Sequence, residues 1–129
     1  MPMIRFDVIE GRTDEEIRKL LDAAHRAVLT SFSVPTGDRY QIITEHKSSR
    51  LVMEDTGLSL ERTRDVVVVS VTTRPRSQES KQTFYFELCK ELKEACGIEP
   101  CDVIVSIVTN GDDDWSFGNG AAQYLTGEL

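Results

Sequence analysis

The chain alternates apolar and polar residues over Met3–Ile9, with Ile4, Phe6 and Val8 on one side and Arg5 and Asp7 on the other. That period of two predicts a β-strand. From residue 14 the period lengthens. Ile17, Leu20, Leu21, Ala24, Val28 and Phe32 recur at helical spacing, and Thr13 with Glu16 forms a capping-box pattern, so a helix is predicted over residues 14–32. Pro35 and Gly37 mark a turn, and a second strand is predicted from about Arg39 to Thr44. The same series then recurs. Val66–Thr73 is rich in β-branched residues, and Ser77 is placed to cap a helix running to about Cys96 with Phe84, Tyr85, Leu88, Leu92 and Cys96 as its apolar face. Gly97 and Pro100 end that helix, and Val103–Thr109 reads as another strand.

The two series superpose at a constant offset of 64 positions without a gap: Thr13 falls on Ser77, Arg12 on Arg76, Asp38 on Asp102 and Leu20 on Phe84. The pattern predicts one α+β domain over residues 1–129, built from pseudo-repeat units 2–64 and 66–129. Each β-α-β unit crosses over right-handedly, which makes its own strands parallel. A pseudo-twofold would run the two halves antiparallel in one four-stranded mixed sheet, with both helices on one face. Apolar residues fill nearly every position of Val66–Val69 and Ile104–Val108, so the strands are expected to be buried on both faces. Self-association would supply the second cover.

Composition narrows the chemistry. Acidic residues outnumber basic ones 22 to 15, for a net charge of −7, and no basic block is present. Nucleic acid and anionic membranes are therefore not expected partners. No apolar run approaches the ~18 residues of a membrane helix, and no secretory leader is visible. Cys89, Cys96 and Cys101 are odd in number and make no CxxC pair, and they read as small, partly buried residues in a reducing cytoplasmic setting. His25 and His46 complete no metal-binding spacing, so neither a metal nor a cofactor is expected.

The expected topology gathers polar residues at one end of the sheet. The first strand starts there with Pro2, and the parallel second strand starts there near Asp38. The third strand runs the other way and delivers Arg74-Pro75-Arg76, and the fourth delivers the tail with Trp115, Phe117 and Tyr124. Val66 stands where Pro2 stands in the first unit but offers no amine, so one site per chain is expected. Methionine is commonly removed before a small second residue such as Pro. The freed secondary amine would titrate near ~8, against ~10.4 for lysine, and could act as acid, base or iminium-forming nucleophile near neutral pH. Arg74 and Arg76, two positions apart ahead of a helix start, suit a carboxylate; they read equally as a solvated surface pair. Asp38 is either a turn cap or a partner of the amine, and in the latter case is expected to raise its pKa. The Asp112–Asp114 run reads as a solvated loop, and Trp115 and Phe117 as core or interface residues.

With Pro2 in place, Ile9-Glu10-Gly11-Arg12-Thr13-Asp14-Glu15-Glu16 and Ile42-Ile43-Thr44-Glu45 resemble the tautomerase superfamily, whose members place an amino-terminal proline on β-α-β units. Within it, Leu21–His25, Asp38–Gln41, Glu54–Leu58, Arg74–Ser77, Asp114–Gly118 and Leu125–Gly127 most resemble the malonate semialdehyde decarboxylase family. The resemblance spans essentially the whole chain. It implies a homotrimer, no cofactor, and a catalytic set of Pro2, Asp38, Arg74 and Arg76. It also implies an apolar wall of Trp115, Phe117, Tyr124 and Leu129, in which the Tyr124 hydroxyl departs from the phenylalanine of some relatives.

The implied activity is that of a carboxy-lyase acting on a small carboxylate, 3-oxopropanoate, to give acetaldehyde and CO₂. The nearest rivals are the 3-chloroacrylate dehalogenases. In the cis-type enzymes a helix histidine and a late Tyr/Glu pair activate water; here the matching positions are Leu29, Ile104 and Trp115, which cannot. Hydratase or tautomerase activity on a small unsaturated or keto acid is an alternative. A cytokine-like binding protein of the same fold is another, which the combination of one acid and two arginines argues against.

Overall fold

A computed structural model describes residues 1–129. The strands are β1 (Met3–Ile9), β2 (Tyr40–His46), β3 (Val67–Thr73) and β4 (Val103–Thr109). The helices are α1 (Asp14–Phe32), α2 (Gln78–Cys96) and a single turn, α3 (Gln123–Thr126). Thr13 caps α1 as its sequence predicts: its hydroxyl accepts from the Glu16 N–H at 3.2 Å while the Glu16 carboxylate accepts from the Thr13 N–H at 3.0 Å. Ser77 caps α2. Both long helices end on a left-handed residue, Ser33 at φ 52° and Gly97 at φ 70°. Glycine reaches that conformation freely, whereas serine meets a steric cost there.

The sheet order is β2-β1-β3-β4. β1 and β2 are parallel, β3 and β4 are parallel, and the halves join through the antiparallel β1–β3 pair. This is the four-stranded mixed sheet expected from the repeat. α1 and α2 pack against each other over one face, with the Phe32 and Phe84 rings stacked 5.0 Å apart. Ile4, Phe6, Val8, Val67, Val69 and Val71 point into the same core as Leu20, Leu88 and Leu92. Each such large side chain contributes about 1.5–3 kcal/mol by leaving water. No helix is long and apolar enough to cross a membrane.

Two expectations need correction. First, the units superpose at an offset of 64 from β1 and β3 to the ends of their long helices, but not beyond. The link from α1 to β2 covers residues 33–39 and that from α2 to β4 only 97–102, so Tyr40 corresponds to Val103 at an offset of 63. Asp102 is therefore not the counterpart of Asp38. It is buried, and its carboxylate accepts from the Thr63 N–H at 2.7 Å and the Thr63 hydroxyl at 2.6 Å, which ties the long connection between the halves to the start of β4. Second, Tyr85 does not join the core of α2 but stays exposed beside Phe86. The second sheet face, which self-association was expected to cover, is open within one chain. Burial alternates, and Arg5, Ile42, Ser70 and Val108 lie exposed on the face away from the helices. Asp7 and His46 pair across that face at 2.7 Å.

Candidate functional site

The register fixes which end of the sheet carries the site. Met3 pairs with both Tyr40 and Thr72, and Thr73 pairs with Thr109. The starts of β1 and β2 and the finishes of β3 and β4 therefore share one end, where Pro2, Asp38, Arg74 and Arg76 follow or precede their strands. Pro2 is buried, and Met1 is partly buried. The terminal amine, here that of Met1, lies 3.4 Å from the Tyr124 hydroxyl. Burial, then Arg76, pull this amine below its ordinary pKa; Asp38 opposes and Arg74 adds to the lowering. Asp38 does pull the amine upward as expected, but for the Met1 amine desolvation and the arginine charges outweigh that one carboxylate.

Asp38 is held by a turn that the Asp38 N–H closes on the Pro35 carbonyl at 2.9 Å. His25, buried in α1, braces the same turn: its Nε2 lies 2.9 Å from the Thr36 carbonyl, and since a carbonyl only accepts, Nε2 carries the hydrogen. Asp38 Oδ1 is buried and makes no hydrogen bond. Burial pushes the Asp38 pKa up, against the pull of the terminal amine, Arg76 and His25. An unpaired carboxylate oxygen beside an amine is a group able to hold or exchange a proton with whatever that amine binds.

The two arginines are anchored differently. Arg76 reaches back to the end of α1, where Nη1 donates to the Phe32 carbonyl at 3.0 Å and Nε to the Thr73 hydroxyl at 3.1 Å. Because α1 has no basic residue in its last turn, Arg76 supplies the missing positive charge there. Arg74 pairs with Asp112 at 2.7 Å, and its guanidinium carbon lies 3.9 Å from the centroid of the Tyr124 ring. Asp112, read as part of a solvated loop, is a partner of Arg74 instead.

These groups border two recesses. A cleft of about 410 Å³ is lined by Met1, Pro35, Asp38, Tyr40, Phe117 and Leu129, with Gln123 and Glu128 at its margin. A polar recess of about 470 Å³ is bounded by Arg74, Pro75, Arg76 and Asp112. Tyr124 lines neither recess but contacts a residue of each, its hydroxyl beside Met1 and its ring beside the Arg74 guanidinium. A larger hollow of about 650 Å³ lies on the outer side of α2 among Tyr85, Phe86, Cys89 and Lys90, but no acid, amine and arginine converge there as they do at the sheet end. Burial raises the Cys89 thiol pKa, which lowers its thiolate fraction. No three His, Cys, Asp or Glu side chains stand close enough to share a metal ion.

Of the expected wall, Phe117 and Leu129 line the cleft, whereas Trp115 and Tyr124 do not. Trp115 is buried behind Phe117, with the two rings stacked 5.3 Å apart and its indole N–H donating to Asn110 at 2.7 Å. Trp115 therefore sets the plane of Phe117. Sequence reasoning gave no role to Tyr40, Pro35, Gln123 or Glu128. Tyr40 contacts Phe117 at 5.8 Å between rings, and the Gln123 amide grips the Phe117 N–H at 2.9 Å and the Gly118 carbonyl at 2.9 Å. The strand alternation could have flagged Tyr40 as the first side chain on the open face; Gln123 carried no signal, since its partners lie in an irregular loop.

Comparison with known proteins agrees with this architecture. A family model described as tautomerase enzyme matches residues 38–118, and a second of the same description matches residues 2–61. The probable tautomerase YrdN of Bacillus subtilis is 53% identical over 129 residues, covering 100% of both chains. The probable tautomerase YusQ of the same organism is 29% identical over 126 residues, covering 97% of this chain and 99% of its own. Among solved structures, a malonate semialdehyde decarboxylase superposes with a TM-score of 0.97 at 50% identity over 98% of each chain. The FG41 malonate semialdehyde decarboxylase superposes with a TM-score of 0.94 at 39% identity, over 98% of this chain and 97% of that one. Matched along its whole length in sequence and in fold, this chain belongs to the tautomerase superfamily of enzymes.

Proposed function

We propose that the chain, once Met1 is removed, decarboxylates 3-oxopropanoate to acetaldehyde and CO₂ with the Pro2 nitrogen as its central group. The observation that carries this reading is the convergence of the terminal amine, Asp38, Arg74 and Arg76 at one sheet end. Support also comes from the 50% and 39% identical neighbours, both malonate semialdehyde decarboxylases, over nearly the full chain.

In this reading the substrate carboxylate lies against Arg74 and Arg76 and its aldehyde carbon faces Pro2. The neutral amine attacks that carbon, and loss of water gives an iminium. The C–C bond to the carboxylate then breaks, its electron pair moves toward the iminium nitrogen to form an enamine, and CO₂ departs. Protonation of the enamine carbon followed by addition of water releases acetaldehyde and restores Pro2. In this reading Asp38 hands protons to and from the nitrogen. An α-amino group ordinarily titrates near ~8, so part of it is the neutral nucleophile near pH 7. Phe117 and Leu129 keep the cleft apolar, which favours departure of neutral CO₂ from a charged carboxylate.

The open sheet face supports assembly as a homotrimer, the state of distant fused 4-OT structures of the same fold, and the three free thiols fit a cytoplasmic setting. A second reading is hydration of an activated acid, because the 50% identical neighbour is described with both decarboxylase and hydratase activities. The deciding assay offers 3-oxopropanoate and a propiolate separately to chain whose N-terminus has been verified by mass. Acetaldehyde at a kcat/KM above that for the propiolate supports the decarboxylase; the reverse order makes the chain a hydratase.

A further inference from the structure

Asp22, His25, Arg39 and Gln41 line neither recess, yet each is tied to the turn that carries Asp38 or to the strand that follows it. In that turn Pro35, Thr36 and Gly37 are exposed, and a short exposed segment containing glycine keeps one shape only where other elements hold it. One backbone bond, from the Asp38 N–H to the Pro35 carbonyl, closes the turn. Asp38 Oδ1 makes no hydrogen bond of its own, so the carboxyl stands where its backbone puts it. The backbone is held from α1, on both sides of Asp38. Asp22 and His25 are three residues apart and share a face of that helix. His25 Nε2 donates to the Thr36 carbonyl at 2.9 Å, two residues before Asp38. Asp22 Oδ1 accepts from Arg39 Nη2 at 2.7 Å, one residue after it. Arg39 Nε donates to Gln41 Oε1 at 2.7 Å, and Gln41 Nε2 donates to the Leu21 carbonyl at 2.8 Å, which fastens the start of β2 to the same turn of α1.

We propose that His25 is a positioning residue that holds Asp38 in place for the reaction through the Thr36 carbonyl, with the Asp22–Arg39 pair as a weaker hold on the other side. The proposal rests on the part given above to Asp38 in proton transfer. The two holds differ in strength for a physical reason. His25 is buried, and a hydrogen bond shielded from water keeps its full geometry. Asp22 and Arg39 are partly exposed, and an ion pair in contact with water contributes little. α1 therefore serves the site from beneath, without any of its side chains reaching the cleft.

The test uses chain with Pro2 verified as its first residue and takes two readings. The first is amide hydrogen exchange followed by NMR, which needs no turnover. H25F keeps a ring in the core and removes the donor, whereas H25Q keeps a donor. H25F should speed exchange of the Asp38 N–H by at least about tenfold and that of the β1 core amides by less than about threefold, while H25Q stays within about threefold of native at both. R39M, which leaves the core intact, should speed exchange at Asp38 by about 2- to 5-fold, so the hold is tested even if H25F unfolds. The second reading is kcat/KM for acetaldehyde formation in a double-mutant cycle. H25F should lose about 10- to 100-fold in native chain, the scale of a catalytic group displaced by roughly 1 Å, and less than about 2-fold in chain already carrying D38N. Equal losses in the two backgrounds, unchanged exchange at Asp38 in both H25F and R39M, or H25Q behaving as H25F would each overturn the proposal. A chain that shows the expected exchange pattern but forms no acetaldehyde would contradict the decarboxylase reading alone.

Discussion

Arg74 and Arg76 have been treated as a pair by their chemistry, yet their surroundings predict that replacing them will separate activity from stability. Consider R74M and R76M, which keep much of the side-chain volume and remove the charge. Arg76 donates to the last carbonyl of α1 and to the Thr73 hydroxyl, and α1 has no basic residue of its own in its last turn. Its loss leaves the Phe32 carbonyl, part of a buried residue, without that partner. Hydrogen bonds from a charged donor contribute about 1.5–3 kcal/mol, which for a chain of this size is a fall in Tm of roughly 5–12 °C. Arg74 pairs with a half-exposed Asp112, an interaction worth about 0–1 kcal/mol, so R74M should move Tm by less than about 4 °C. Activity should fall in both. Losing one charged contact to the substrate carboxylate costs about 2–4 kcal/mol of transition-state binding, or roughly 30- to 1,000-fold in kcat/KM. The assay is thermal unfolding followed by circular dichroism beside acetaldehyde formation on the same preparations. Equal Tm shifts in the two variants would refute the anchoring of Arg76 in α1. Near-native kcat/KM in both would refute the carboxylate clamp.

Two further outcomes follow from the same geometry. Burial raises the Asp38 pKa, so its contribution to stability is fully present below the ordinary carboxylate range and is lost as pH rises through the folded value; D38N, neutral throughout, should match the native Tm near pH 4 and equal or exceed it at pH 7 while kcat/KM falls at least about tenfold. A lower Tm for D38N at pH 7 would count against that sign. Reduction with cyanoborohydride during turnover should leave a two-carbon or three-carbon adduct on Pro2, read by mass spectrometry of the N-terminal peptide. A native mass after complete turnover would rule out the iminium and favour polarisation of the aldehyde by a protonated Pro2.

Periodicity carried most of the fold because the two kinds of element have different repeats and the chain uses both cleanly. The capping box at Thr13 and Glu16 located the start of α1 to the residue, and Gly97 marked the end of α2. The exact repeat of 64 misled only where side chains stop reporting on a face. The link after α2 is one residue shorter than its counterpart, and the coincidence of Asp38 with Asp102 concealed it; one acid faces the amine, and the other is a buried cap for Thr63. Continuous apolar runs in β3 and β4 called for cover on a second face, and within a single chain that face stays open, as an assembling chain requires. The placement of Pro2, Asp38 and the two arginines was legible, since strand direction alone decides which end each residue occupies. The roles of Asp112, Trp115 and Gln123 were not, because they depend on how an irregular tail folds back, and no period describes that. Tyr124 was visible as a residue but its contacts were not, for its partners Arg74 and Met1 lie 50 and 123 positions away in the chain.

The central claim is that a secondary amine at Pro2 performs the chemistry. One preparation made with methionine aminopeptidase active and another made with it inhibited differ only in Met1, and intact mass distinguishes them. Acetaldehyde formation from 3-oxopropanoate should be confined to the chain that begins at Pro2, with kcat/KM at least about a hundredfold lower when Met1 is retained. Equal rates from the two preparations would contradict the account.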